Sequence, residues 1–265
     1  MKKLFSLLAA AGLVAGSLLA TALPAHADDV EVSVPGPIVV KDLVISSQSC
    51  KVIPMSMTFQ TEPVDASFDL IEAWVGVWGG KVKQADAEVE ALFTWGEDRT
   101  LANPKMADFV PISWCPKKKK YNVTGLGTFT VEGAYLRWWN TPQDENPNGD
   151  LEVDKSTTFT VKQASKAASA KATKNKKGDK RTISAKFTYY DVAKKGWKSL
   201  PKKTKVQLQT RAADGTGEWK TLKTVKVGSK GAVKTTNKTK AKLQYRFVYA
   251  GNSTKAPITS KTLTK

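Results

Sequence analysis

The chain has 265 residues, 42 of them basic and 24 acidic, with two cysteines and a single histidine. That histidine, His26, falls within residues 1–27, which have the three zones of a secretory signal: Lys2-Lys3, an apolar run from Leu4 to Leu23, and a small-x-small site at Ala25-His26-Ala27. A mature chain beginning at Asp28 holds no histidine, which excludes Ser-His-Asp and Cys-His mechanisms and removes the commonest metal ligand.

No other apolar stretch approaches the roughly 20 residues that a membrane-spanning helix requires, so no membrane span is expected. The product is expected to be secreted and extracellular, with retention at the cell wall as one outcome. Cys50 and Cys115 form an even pair in an exported chain, and such a pair reads as a disulfide.

After the signal, apolar residues alternate with polar ones. Val30 to Val34, Ile38 to Ile45, Met55 to Gln60 and Leu70 to Val77 are the first predicted strands, although Asp65 to Trp78 would also suit a helical face. In the next, Ala87, Val89, Ala91, Phe93 and Trp95 share one face, with Asp86, Glu88 and Glu90 opposite. Gly127 to Trp139 and Thr157 to Lys162 follow. Gly79-Gly80, Asn103-Pro104 and Asn146-Pro147-Asn148-Gly149 supply the turns.

At Gln163 the composition changes. Residues 164–180 carry lysine, alanine and serine with no large apolar side chain, and read as a flexible basic linker. Beyond it the alternation returns, with Ile183, Ala185, Phe187 and Tyr189, then Val206 and Leu208. A later strand carries Ala241, Leu243, Tyr245, Phe247 and Tyr249 inward, with Lys240, Lys242, Gln244 and Arg246 outward. The segment Ala256 to Leu263 can close the sheet.

The charge divides at the same place. Residues 28–163 hold 13 basic and 20 acidic residues, net −7, whereas residues 164–265 hold 27 basic and 4 acidic, net +23. A surface of that sign draws polyanions electrostatically, and it also keeps a secreted module soluble. Its lysines give non-specific attraction, where planar recognition of bases or phosphates favours arginine, so no specific nucleic acid is expected.

The run Trp219-Lys-Thr-Leu222, then Gly231, Tyr245-Arg-Phe-Val-Tyr-Ala-Gly-Asn252, Ala256-Pro257 and Ser260 carries a resemblance. Residues 180–265 resemble the immunoglobulin-like modules of bacterial secreted and cell-surface proteins. The resemblance implies a β-sandwich whose functions range from spacer to adhesive domain. Residues 28–163 carry no such resemblance, but their strands suit a second sandwich. The expected fold is therefore all-β: a signal peptide (1–27), an acidic β-sandwich domain with one disulfide (28–163), the linker (164–180) and a basic immunoglobulin-like domain (181–265).

Three further constellations bear on function. Asp144, Asn146, Asn148 and Asp150 match loop positions one, three, five and seven of a calcium-binding EF-hand, with Gly149 at six. Lys155 stands at position twelve, so Glu152 or Asp154 would have to serve instead; a polar hairpin is the other reading of this stretch. Calcium is the one cofactor suggested. Trp138 and Trp139, adjacent on a strand, face opposite sides, so one is core and the other can stack on a ligand. Asp86, Glu88 and Glu90 are the carboxylates that a histidine-free enzyme would have available, and they equally form a solvated strand face.

The leading expectation is a secreted non-enzymatic binding or structural protein with no catalytic residues. Lys240, Lys242 and Arg246 would meet an anionic envelope polymer or acidic polysaccharide, while the N-terminal domain binds a protein or carbohydrate. The alternatives are a carboxylate-dependent carbohydrate-active or calcium-dependent enzyme, and a subunit of an extracellular protein assembly.

Overall fold

The computed structural model describes residues 31–58, 60–62, 70–80, 88–93, 100–102, 112–117, 122–139 and 149–265. The expected signal segment lies outside them. Among the described residues regular structure is β-strand, apart from one short 3-10 turn at Ser229–Gly231, so the chain is all-β as its alternation predicts.

The spine of the first half is the strand Gly127–Trp139. Along one edge it pairs with Thr157–Gln163 and then with Gly149–Val153; along the other it pairs with Leu70–Gly79, which in turn pairs with Glu88–Phe93. Leu43–Ile45 joins in parallel beside Thr157–Gln163. Leu70–Gly79 is a strand, not the alternative helix, because it is laddered on both edges and Val75 and Val77 alternate inward. Smaller sheets of two and three strands complete the half around one apolar cluster. At its centre the cross-strand partners Phe129 and Phe159 stack with ring centroids 5.2 Å apart.

Cys50 and Cys115 are bonded, with their α-carbons 4.3 Å apart. The bond lies beside the antiparallel pair Lys51–Val52 and Ser113–Trp114, each only two residues long. Trp114 is fully buried there, and its Nε1 donates to the Gly125 carbonyl at 2.6 Å.

The second half is two facing sheets. One holds Ser165–Lys174, Lys180–Asp191, Gly196–Ser199 and Ala232–Lys238; the other holds Lys220–Lys226, Lys205–Ala212, Leu243–Tyr249, Ile258–Thr259 and Leu263–Thr264. The chain leaves the first sheet after Ser199, returns to it for Ala232–Lys238, and leaves again. That crossing back is the Greek-key connection of an immunoglobulin-like sandwich. Phe187 from one sheet meets Phe247 from the other edge-on at 6.4 Å, and both are fully buried.

The flexible linker expected over residues 164–180 is not what forms. Ser165–Lys174 is the edge strand of the second sandwich, paired with Lys180–Asp191, and Ala170 and Ala172 are in its core. The sandwich thus begins at Ser165, not after residue 180. A β-bulge explains why the pattern was hidden. Ser165 and Ala167 turn inward, the register shifts between Ala168 and Lys171, and Ala170 and Ala172 turn inward with the opposite parity. Ser169 sits in the bulge with φ 53°. Small side chains suffice because alanine loses no rotamer freedom on burial.

The junction before this strand is also hydrogen-bonded on both sides. Gln163 exchanges backbone bonds with Thr254 and Ala256, and Ala164 with Ile45 and Tyr190, all at 2.8–2.9 Å. The Gln48 amide donates to Tyr190 Oη and to the Val192 carbonyl. Brief trypsin treatment is therefore expected to cut at Lys176 or Lys177, in the exposed tip where Asn175 and Asp179 close the hairpin. Denaturing gels should show two fragments that co-elute on native gel filtration, since the cut leaves Ser165–Lys174 in its sheet. Early cutting at Lys166 or Lys171 with separation of the halves would contradict that pairing.

Candidate functional site

Asp144, Asn146 and Asn148 of the expected calcium loop lie outside the described residues. Asp150 and Glu152 are exposed in the strand Gly149–Val153, opposite Arg137 and Tyr135. Tyr135 Oη donates to Asp150 Oδ2 at 2.8 Å, so this carboxylate has a partner on the neighbouring strand. The Lys155 ammonium donates to the Val34 and Gly36 carbonyls, just beyond the strand Glu31–Ser33. Among the described residues no three acidic, histidine or cysteine side chains gather as a metal site.

Trp138 is 5 % exposed and belongs to the core, so it is not available to stack on a ligand. It packs on Gly149, where any β-carbon would collide with the indole. The reason it faces inward is again a change of parity. Phe129 and Val131 are buried, the register shifts between Val131 and Ala134 at Gly133, and Ala134, Leu136 and Trp138 are buried beyond it. The Trp139 side chain lies outside the described residues. Glu88 and Glu90 lie in the strand Glu88–Phe93, with their side chains and Asp86 also outside them.

Lys240, Lys242 and Arg246 do not share one strand face. The strand begins at Leu243, and Lys240 and Lys242 are exposed in the loop before it, as is Ala241, which was expected to face inward. That loop is anchored by Arg181, 3 % exposed, whose guanidinium donates to the carbonyls of Gly178 and Lys240 at 2.7 and 3.2 Å.

Arg246 is on the outer face of the sheet, in a constellation that the sequence reading missed. Its guanidinium carbon is 4.2 Å from the Trp219 ring centroid, and that of Arg211 is 4.6 Å from it. Arg246 Nε donates to Gln209 Oε1, and Arg211 Nε to Gln244 Oε1, both at 2.8 Å. Each glutamine is the residue directly opposite its arginine in the ladder of Lys205–Ala212 with Leu243–Tyr249. The network continues outward. Gln209 donates to Gln207, which also accepts from Thr221 on the strand Lys220–Lys226, and Gln244 donates to the Ala213 carbonyl.

Two cations share one indole here. Partial burial and the neighbouring Arg211 charge both push Arg246 below its ordinary value, so its charged form is held at a cost. Asp214, in the adjacent turn, binds its own backbone instead. Its Oδ1 accepts from Thr216 N and Oγ1 at 2.9 and 2.7 Å, and those bonds, with the Arg211 charge as a smaller cause, hold its carboxyl below the usual range. One signal in the sequence could have pointed here. Residues 164–265 contain only three arginines, Arg181, Arg211 and Arg246, among 27 basic residues.

A second aromatic group lies near the junction. The Lys166 ammonium is 3.8 Å from the Trp197 ring, Lys255 is 4.8 Å from Tyr189, and Tyr190 meets Trp197 edge-on at 5.8 Å. These contacts bind the edge strand and the Asn252–Lys255 turn to the sandwich.

No family model and no curated protein sequence matches the chain. Solved structures align over most of it with low similarity. A protein from Bacteroides uniformis ATCC 8492, described provisionally as carbohydrate-binding, aligns at 11 % identity over 87 % of this chain and 99 % of its own, with a TM-score of 0.27. The D00-D0 domain of intimin aligns at 11 % identity over 89 % and 98 %, with 0.26. A C-terminal fragment of the major pilin GBS80 of Streptococcus agalactiae aligns at 9 % over 88 % and 91 %, with 0.22. At such scores the alignments carry no weight for activity.

Proposed function

We propose that this is a secreted, non-enzymatic binding protein whose C-terminal sandwich attaches electrostatically to an anionic polymer of a cell envelope or to an acidic polysaccharide. The N-terminal half is then free to engage a protein or carbohydrate. The observation that carries this reading is the charge division, net +23 after Gln163 against −7 before it. The lysines responsible project outward. Lys166, Lys171 and Lys174 are exposed on the edge strand, Lys220, Lys223 and Lys226 on the opposite sheet, and Lys240 and Lys242 at the loop between strands. A sandwich fed by apolar residues from both sheets leaves its outer faces to these side chains, whose stems lie along the sheet while their ammonium groups stay in water.

Attraction of this kind is screened by salt. Binding of the mature chain to polygalacturonate or to anionic wall polymer should fall at least tenfold as salt rises from about 0.1 M to 1 M, because the screening length shortens from about 10 Å to about 3 Å. Substituting glutamine at Lys240 and Lys242 should weaken binding and flatten this salt dependence. Salt-insensitive retention would show that charge is not the mechanism, and no retention at low salt would leave the sandwich as a spacer.

A further inference from the structure

We propose that Arg211, Arg246 and Trp219, on the outer face of the second sandwich, form a discrete site for an oxyanion group on a sugar polymer, a carboxylate or a phosphate ester. The inference rests on the reading above only for the source of the anion.

Three features distinguish this place from the surrounding lysine surface. The first is residue choice. Lysine supplies almost all of the charge after Gln163, and two of the three arginines meet at one indole while the third is buried in the fold. Guanidinium presents a planar fork of donors that matches the two oxygens of a carboxylate or phosphate, which an ammonium cannot do.

The second feature is fixed orientation. Each Nε is bonded to the glutamine across the ladder at 2.8 Å, and each guanidinium rests on Trp219. Strand backbone, cross-strand amide and aromatic ring together set the direction of both forks before any ligand arrives. Less ordering entropy is then lost on binding. Gly215 keeps the covering turn at van der Waals distance, with a β-carbon there reaching only to 3.5 Å from Arg211 Nη2 and Gln244 Nε2.

The third feature is unused donors. The Nε bonds use one donor of each group, and among the described residues no acceptor is bonded to the Nη atoms of either arginine. Asp214 is nearby and its carboxylate feels the Arg211 charge, but its Oδ1 is taken by Thr216 and no bond joins it to either guanidinium. Two like charges share a partly buried position, which an incoming anion relieves. Gln207 lies along the same face, and its Nε2 can donate to a sugar hydroxyl beside the site.

The test exchanges arginine for lysine, which keeps the net charge. Mature R211K/R246K and K240Q/K242Q proteins are compared with the parent against polygalacturonate, poly(glycerol phosphate) and neutral dextran at about 0.15 M salt, with thermal melts to verify folding. The arginine variant should lose about tenfold or more in affinity, the usual worth of a charge-assisted hydrogen bond, with its salt dependence unchanged. The glutamine variant should bind with a flatter salt dependence, and dextran should not bind. The better of the two anionic polymers identifies the group held. Parent-like binding by R211K/R246K would overturn the site and leave bulk charge alone.

A second measurement separates this inference from the attachment reading. Inorganic phosphate titrated into the parent should shift the Arg211 and Arg246 Nε–H resonances and change Trp219 emission, the latter identified by its loss in W219F. If no polymer binds but phosphate gives these shifts, the envelope reading fails and the site stands. If phosphate shifts neither resonance, the site is overturned.

Discussion

Replacing Cys50 and Cys115 together by alanine should lower the melting temperature of the first half by roughly 10–20 °C. The bond closes a loop with a sequence separation of 65 residues, which in the chain-entropy model contributes about 4 kcal/mol. The local structure has little to replace it. Lys51–Val52, Ser113–Trp114 and Asn122–Val123 are strands of two residues each, and the sheet they form has few ladder bonds of its own. Trp114 is placed in the core by that sheet, and the neighbouring Ile53 and Ile112 are joined by a backbone bond of 2.9 Å. Calorimetry of the double variant, with non-reducing mass spectrometry of the parent to confirm the linkage, checks this. A melting temperature within about 3 °C of the parent would mean that the native contacts alone hold the sheet, and that the loop-entropy account does not apply here.

Most strands were legible because alternation survives wherever a strand runs without interruption. Gly127–Trp139 has the predicted bounds, and Ile183, Ala185 and Phe187 face inward as their spacing implies. Two of the departures share one physical cause. A β-bulge inserts a residue, and every side chain beyond it changes face. At Gly133 this decides that Trp138 enters the core. At Ser169 it splits the alanines of a real strand into two registers, so that a lysine-alanine segment reads as polymer without structure. Short pairings such as Gly196–Ser199 with Lys180–Asp191 were illegible for another reason, since four residues give too little pattern and only the partner strand selects them.

The charge division was visible at once, whereas the site within it was not. Arg246 stands opposite Gln209, and Arg211 opposite Gln244, residues separated by 37 and 33 positions in the chain. Sequence spacing along one strand grouped Arg246 with Lys240 and Lys242, but those lysines precede the strand. A single sheet face assembled from three strands and a turn is a product of register, and register follows from the buried set on the other side. Val206, Leu208, Tyr245 and Phe247 occupy the core, which leaves Gln207, Gln209, Gln244 and Arg246 on the outer face.

Phe247→Ala should therefore unfold the outer face that carries Arg211 and Arg246 together with the core beneath it, while sparing the first half. Phe247 is fully buried, and it meets Phe187 across the two sheets. Its backbone also exchanges bonds of 2.9 Å with Ser260, which fastens the closing strands. Truncation of a buried phenylalanine costs about 3–5 kcal/mol, a large share of the 5–15 kcal/mol available to a domain of this size. The first cluster draws its buried members from residues 32–161 and the second from residues 170–249, so the loss falls on one core. Hydrogen exchange read by mass spectrometry should show protection collapsing across residues 165–265 and persisting in Gly127–Trp139 and Leu70–Gly79. Equal loss in both halves would show instead that the bonds of Gln163, Ala164 and Gln48 fuse the halves into one cooperative unit. Phe247→Leu, which keeps most of the volume, should retain both the protection and the polymer binding of the parent.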